Sequence, residues 1–185
     1  MDDKMLFFST FLKNPKEIGS VVPSSKFLVK ELLKNVEFEN AKYIVEYGPG
    51  TGCVTSGILK KARNDAKILC FETNKRFYRH LKKNIKDKRL ILINDSAENI
   101  MKHLKRLSIP KIDYVISGLP FSILPQKKKI TIIKETKKTL KDEGRFVIYQ
   151  YLNSFKSCLY SYFSNISTKF VALNIPPSFI YICGK

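Results

Sequence analysis

Seven short β-rich runs are spaced along the chain, and the spacing of the last two constrains its fold most tightly. "STKFVALN" (Ser167–Asn174) and "SFIYIC" (Ser178–Cys183) are separated by little more than "IPP" (Ile175–Pro177). A connection this short cannot carry a crossover between parallel strands, so the two runs are expected to pair as an antiparallel hairpin. The earlier runs are Lys42–Tyr47, Lys67–Glu72, Leu90–Asn94, Asp113–Gly118 and Arg145–Tyr151. Helical stretches fill the gaps, at roughly 53–63, 74–86, 97–107, 126–140 and 154–163. Asn74 is the expected N-cap of the second, and Ser96 with Asn99 of the third. "KDEGR" (Lys141–Arg145) is the expected tight turn into the fifth strand. Near-continuous apolar runs such as "LILIN" suit strands covered on both faces. The expected fold class is α/β, a mostly parallel sheet closed by a C-terminal antiparallel hairpin.

The 185 residues and 44% apolar composition suffice for one domain with a sizeable core. The expected division is a helical N-terminal arm over residues 1–40 and a domain over 41–185. No uncharged apolar run reaches membrane-spanning length. The opening "MDDKMLFF" carries two acids and lacks the basic start of a secretory signal, which implies a cytoplasmic protein. Cys53, Cys70, Cys158 and Cys183 are scattered and only two histidines accompany them, so neither a disulfide framework nor a metal site is expected. The charge is more telling. Thirty-four bases stand against 16 acids, a net +18, which implies attraction to a polyanion, either an anionic membrane surface or nucleic acid.

The stretch "VEYGPGTG" (Val45–Gly52) runs from the end of the first strand straight into a glycine-rich loop. In a doubly wound sheet, ligands sit at the carboxyl ends of the strands, where the strand order reverses. Gly48, Gly50 and Gly52 allow close backbone approach there. The spacing G-x-G-x-G is neither that of dinucleotide sites nor that of triphosphate loops, and no lysine follows the last glycine. Glu46 is placed to accept from a ligand's ammonium group or to order the loop. Glu72, with Thr73 beside it, ends the second strand, where an acid takes both ribose hydroxyls. Asp95, next to Ser96, is placed to face an adenine amino group. Each acid alone reads equally well as a cap or a solvated charge. Three at successive strand ends form the pattern of S-adenosylmethionine binding, and that is the expected cofactor.

Two further stretches bear on the acceptor. "ISGLPFSILP" (Ile116–Pro125) follows the fourth strand, where amino-methylating enzymes present the acceptor nitrogen to the methyl group. There Pro120 stiffens the turn and Phe121 is placed to cover the methyl group or pack on the acceptor; the alternative is a buried connection. On a helix, Met1, Met5, Phe8 and Leu12 form one stripe flanked by Phe7 and Phe11. Asp2, Ser9, Thr10 and Lys13 lie opposite, with Leu6 interrupting them. Such a helix over residues 1–13 either packs on the domain or lies in a membrane interface.

These segments together resemble the soluble bacterial phospholipid N-methyltransferases, which convert phosphatidylethanolamine toward phosphatidylcholine. "FLKNPKEIGSVVPSS" (Phe11–Ser25) resembles the family's segment ahead of the first strand, "VEYGPGTG" its cofactor loop, "ISGLPF" its acceptor loop and "LNIPPSFIYIC" its closing hairpin. The resemblance implies a Rossmann-like, seven-stranded methyltransferase sheet with helices on both faces, working at the inner face of the membrane. It implies that Glu46, Gly48, Gly50 and Gly52 hold the methionine part of the cofactor and Glu72 the ribose, with Asp95 and Ser96 beside the base. Ser117, Gly118, Leu119, Pro120 and Phe121 would line the transfer centre. Ser24 and Ser25 would help bind an anionic group, and Tyr151 would orient the headgroup or accept a proton.

The competing reading is an RNA adenine N6-methyltransferase, which shares the fold and would also use the positive charge. That family's loop reads N-(L/I)-P-(Y/F), and its Asn engages the adenine amine; here that position is Gly118. Those enzymes also carry a helical RNA-binding domain after the catalytic one, whereas this sequence continues only to Lys185 after the hairpin. Lipid methylation is therefore the expectation, RNA methylation the alternative, and a basic binding module without catalysis ranks below both.

Overall fold

Apolar runs bounded by glycine, proline and polar turns become strands here because both faces of the sheet are covered. The computed structural model describes residues 25–151, 155–174 and 177–185. Its strands are β1 (Tyr43–Tyr47), β2 (Lys67–Phe71), β3 (Leu90–Ile93), β4 (Ile112–Ser117), β5 (Leu140–Gln150), β6 (Asn165–Val171) and β7 (Ser178–Gly184). Between them lie α1 (Lys26–Leu33), α2 (Cys53–Lys61), α3 (Lys75–Asn84), α4 (Ile100–Arg106), α5 (Gln126–Thr139) and α6 (Lys156–Tyr160), with a 3-10 turn at Ala97–Asn99. Asn74 caps α3 as expected, its Oδ1 accepting from the amides of Arg76 (2.8 Å) and Phe77 (3.4 Å).

The seven strands form one sheet in the order β3-β2-β1-β4-β5-β7-β6. Neighbours among β1 to β5 are parallel, whereas β7 runs antiparallel to both β5 and β6. The closing hairpin is thus present. "KDEGR" behaves in part as expected. The β4–β5 register jumps from Ile112↔Leu140 to Tyr114↔Arg145, so residues 141–144 bulge out while the strand resumes beyond them.

Alternate side chains of each strand enter opposite cores. On one face Ile44, Ile68 and Ile116 pack with Leu28 and Leu32 of α1 and Val54 and Ile58 of α2. On the other, Val45, Leu69 and Val115 pack with Leu104 of α4, Ile132 and Ile133 of α5 and Leu159 of α6. Every residue of β4 is buried, as a strand covered on both faces requires. Leu28, Leu32, Val36 and Phe38 belong to the same core as β1, so residues 26–38 of the expected arm do not stand apart from the domain. The stripe expected over residues 1–13, and Ser24, lie outside the described residues.

Strand β1 lies between β2 and β4, and the chain leaves it in opposite directions on its two sides. The crevice at the carboxyl ends of β1 and β4 is therefore the switch point where ligands bind in such sheets. Among the described residues, no helix is long and apolar enough to cross a membrane.

Candidate active site

The glycine loop leaves β1 at the switch point. The amide of Gly48 donates to the Phe71 carbonyl (3.0 Å) and that of Gly118 to the Tyr47 carbonyl (2.9 Å), so both loops begin as extensions of the ladder. Gly48, Gly50 and Gly52 have φ of +69°, +55° and +88°, the left-handed region that favours glycine. Their surroundings differ. A Cβ on Gly48 would lie 3.0 Å from Leu119 Cδ2, and one on Gly52 would lie 2.7 Å from Leu81 Cδ2. A Cβ on Gly50 would meet nothing within 4 Å. Gly48 and Gly52 are thus held by packing, whereas Gly50 borders open space.

The three strand-end acids are held in three different ways. Glu46 is buried and accepts from the hydroxyl of Thr55 (2.6 Å) and the thiol of Cys70 (3.3 Å). Burial pushes its carboxyl up to about 7 against the opposing effect of these bonds. Glu72 accepts from the amides of Gly50 (3.1 Å) and Asn74 (2.8 Å), tying the glycine loop to the start of α3. Burial raises its pKa, and the backbone bonds counter the rise. Asp95 accepts from His103 Nε2 (2.8 Å), Asn99 Nδ2 (2.8 Å) and the amide of Ser96 (2.7 Å). Those bonds, His103 foremost, lower it to about 2, so it is ionised at neutral pH. Asn99 thereby serves Asp95 and not the helix end, while Ser96 Oγ accepts from the Glu98 amide (3.4 Å). Thr73 is exposed beside Glu72.

Local sequence identified the acids, but the residues that hold them were missed. Thr55 comes from α2, Cys70 from β2 and His103 from α4, and only the fold brings them to Glu46 and Asp95. The Nδ1 atom of His103 is buried with no hydrogen-bond partner.

The acceptor loop packs directly on the glycine loop. Ser117 is buried and its Oγ accepts from the Leu119 amide (3.2 Å), ordering the turn from within. Leu119 covers Gly48, and Pro120 is half-buried next to it. Phe121 differs from expectation. It is fully buried, stacks on Phe155 (4.6 Å between centroids) and meets Phe146 edge-on, so it anchors the loop in the core and does not cover a methyl group.

From the β5 side, Gln150 Nε2 donates to the Leu119 carbonyl (2.7 Å). Tyr151 is hydrogen-bonded to Asn174, and burial raises its phenol above the usual value. The phenol therefore stays protonated at neutral pH, which does not suit the expected proton acceptance. Asn174 also accepts from the Ser25 amide (3.3 Å) and donates to Ser178 Oγ (2.9 Å). Ser25 Oγ caps α1 through the Leu28 amide (3.1 Å). Its polar atoms thus serve the helix and the hairpin, and the end of the Phe11–Ser25 segment meets the "LNIPPS" turn here. Among the described residues, no group of three or more His, Cys, Asp or Glu side chains is placed to hold a metal ion.

Sheet order, the position of the glycine loop and the likenesses below define the class: a methyltransferase that uses S-adenosylmethionine. The chain belongs to the Methyltransferase small domain family, whose model matches residues 19–171. It is 27% identical to an ornithine lipid N-methyltransferase of Singulisphaera acidiphila, over 99% of this chain and 96% of that protein. It is 32% identical to the ribosomal RNA small subunit methyltransferase A of Mycoplasmopsis synoviae, but over 58% of this chain and only 39% of that protein. Among solved structures, it shares its fold with a Streptococcus mutans protein described as a methyltransferase and solved with SAH (TM-score 0.59, 19% identity, 85% of this chain and 95% of that one).

Proposed function

We propose that the protein N-methylates the amine headgroup of a membrane lipid at the bilayer surface. The observation that carries this reading is Gly118. The RNA enzymes' loop needs an asparagine side chain at this position, and here even a Cβ would lie 2.9 Å from the Tyr149 hydroxyl oxygen and would require that phenol to move. The likeness to an ornithine lipid N-methyltransferase along nearly the whole of both chains supports it. Phosphatidylethanolamine and ornithine lipids both offer a primary amine, and the site chemistry suits either.

The open space beside Gly50 suits a cofactor, with Gly48, Gly50 and Gly52 against its methionine part, Glu72 at its ribose and Asp95 with Ser96 at its base. Bound there, S-adenosylmethionine would supply a sulfonium methyl group for transfer to the amine nitrogen, with the thioether of the demethylated cofactor as leaving group. The protein's part is to align the acceptor and exclude water. A protonated amine has no lone pair, and a dry pocket favours the neutral form.

Exposed apolar side chains include Phe27 at the start of α1, Ile123 in the acceptor loop and Leu173 between β6 and β7. The Ser25–Asn174 bond joins the segments that carry Phe27 and Leu173, and we read the three as an apolar rim of the acceptor side. Lys127 lies exposed just beyond Ile123, and Lys75 and Arg76 at the start of α3. This combination suits an anionic bilayer. The test offers methyl-labelled S-adenosylmethionine with vesicles of phosphatidylethanolamine and anionic lipid, and separately with total RNA. Label in the organic phase is the expected result. Label in the RNA alone would establish the second reading, which the weaker RNA-methyltransferase likeness and the +18 charge favour.

A further inference from the structure

The space that a side chain at position 118 would occupy is filled from the neighbouring strand. A Cβ on Gly118 would lie 2.9 Å from the Tyr149 hydroxyl oxygen and 3.3 Å from Cε1 of the same ring. It would also lie 3.2 Å from the Gly48 carbonyl oxygen. The phenol oxygen thus stands beside the junction of the glycine loop and the acceptor loop. Sheet register puts it there: Ser117 pairs with Ile148, so Tyr149 is the next rung, level with Gly118. The Gln150 bond to the Leu119 carbonyl locks that register, and the Tyr151 ring meets Tyr149 edge-on at 6.2 Å.

We propose that Tyr149 is the acceptor-positioning residue: its phenol oxygen accepts a hydrogen bond from an N–H of the incoming lipid amine. This assignment rests on the lipid-amine reading above. A neutral primary amine has two N–H donors and one lone pair. Giving one N–H to a fixed oxygen leaves the lone pair free and limits its directions. A neutral oxygen is the right kind of acceptor here, because a carboxylate at the same point would favour the ammonium form, which cannot attack. Gly118 follows from this arrangement, since any side chain there would push the phenol away.

Tyr149→Phe keeps the ring and removes only the oxygen. On phosphatidylethanolamine vesicles, kcat is expected to fall about tenfold to a hundredfold, the size of a misalignment effect. KM for lipid and the calorimetric Kd for S-adenosylmethionine should not change. Gly118→Ala should lower kcat as well, and the double variant should be no slower than Gly118→Ala alone, because the alanine acts by displacing the same oxygen. A second readout does not depend on turnover: the drop in Tm caused by Gly118→Ala should be smaller in the Tyr149→Phe background, where the 2.9 Å contact no longer exists. Wild-type kcat in Tyr149→Phe, or additive losses in the double variant, would overturn the role of Tyr149 while leaving lipid methylation intact. A wild-type protein that labels no amine lipid would instead remove the lipid reading, and this role with it.

Discussion

Glycine does two different jobs within the loop from Gly48 to Gly52, and substitutions at neighbouring positions should separate them. Gly50→Ala adds a methyl group that touches nothing in the protein, at a φ that costs about 1 kcal/mol for a residue with a Cβ. Its main effect should be on the ligand side: at least a tenfold loss of S-adenosylmethionine affinity by calorimetry with a small shift in Tm. Gly52→Ala carries the same backbone cost and also drives its Cβ against Leu81 and Ile85, so about 2–3 kcal/mol of stability should be lost in thermal melts. The glycine spacing was legible in the sequence. Which glycine faces the ligand was not, because Leu81 and Ile85 reach Gly52 only through the packing of α3. Glu46 makes the same point about charge. Its place at a strand end was legible, but its burial, which raises it to about 7 despite the bonds from Thr55 and Cys70, was not. An acid raised on folding stabilises the folded state fully below its unfolded value of 4.5, and that contribution is lost as pH rises to about 7. The stability of wild type relative to Glu46→Gln should therefore fall on the order of 3 kcal/mol between those limits and stay level above them. A cationic ligand beside Glu46 favours its ionised form, so cofactor affinity should rise with pH through 7 in wild type and not in Glu46→Gln. A pH-independent difference between the two proteins would rule out ionisation of Glu46.

Secondary-structure elements were more legible than their junctions. Continuous apolar runs marked the strands, and the short spacing before Ser178 marked the hairpin. "KDEGR" reads as a turn because Gly144 and its polar neighbours break the apolar pattern. Its flanks nevertheless stay in one ladder, since Leu140 finds Ile112 across the bulge. The contact between α1 and α2 had no local signature at all. Gly57 sits within α2, where glycine weakens a helix, yet a Cβ there would lie 2.7 Å from Leu33 Cδ1 and 2.9 Å from Val29 Cγ1. Close helix packing accounts for the glycine. Gly57→Leu should force the helices apart at a cost of about 1–3 kcal/mol, seen as a lower Tm. Because Ser25 at the start of α1 bonds Asn174, which also holds Tyr151, methyl transfer should fall with it while cofactor affinity stays near wild type. Loss of stability with unchanged turnover would show that α1 does not support the acceptor side.

At the scale of the whole molecule, charge and shape act on different parts of the same reading. A net charge of +18 attracts anionic bilayers and RNA alike, so salt-sensitive binding to vesicles would not separate the two. The apolar rim does separate them. Phe27, Ile123 and Leu173 come from three distant stretches of sequence and are all exposed, so no local pattern could have grouped them as the rim proposed above. Each such side chain moved from water into lipid is worth about 1.5 kcal/mol or more when fully buried, whereas RNA phosphates gain nothing from them. Replacing all three by Ser leaves the net charge unchanged. If the rim enters a bilayer, sedimentation with anionic phosphatidylethanolamine vesicles should weaken at least tenfold, with RNA binding and cofactor affinity unaltered. Methylation of a dispersed short-chain amine lipid should also persist, because that substrate needs no interfacial docking. Equal vesicle binding by the triple variant and the wild type would mean that charge alone holds the protein at the membrane and that the rim has another partner.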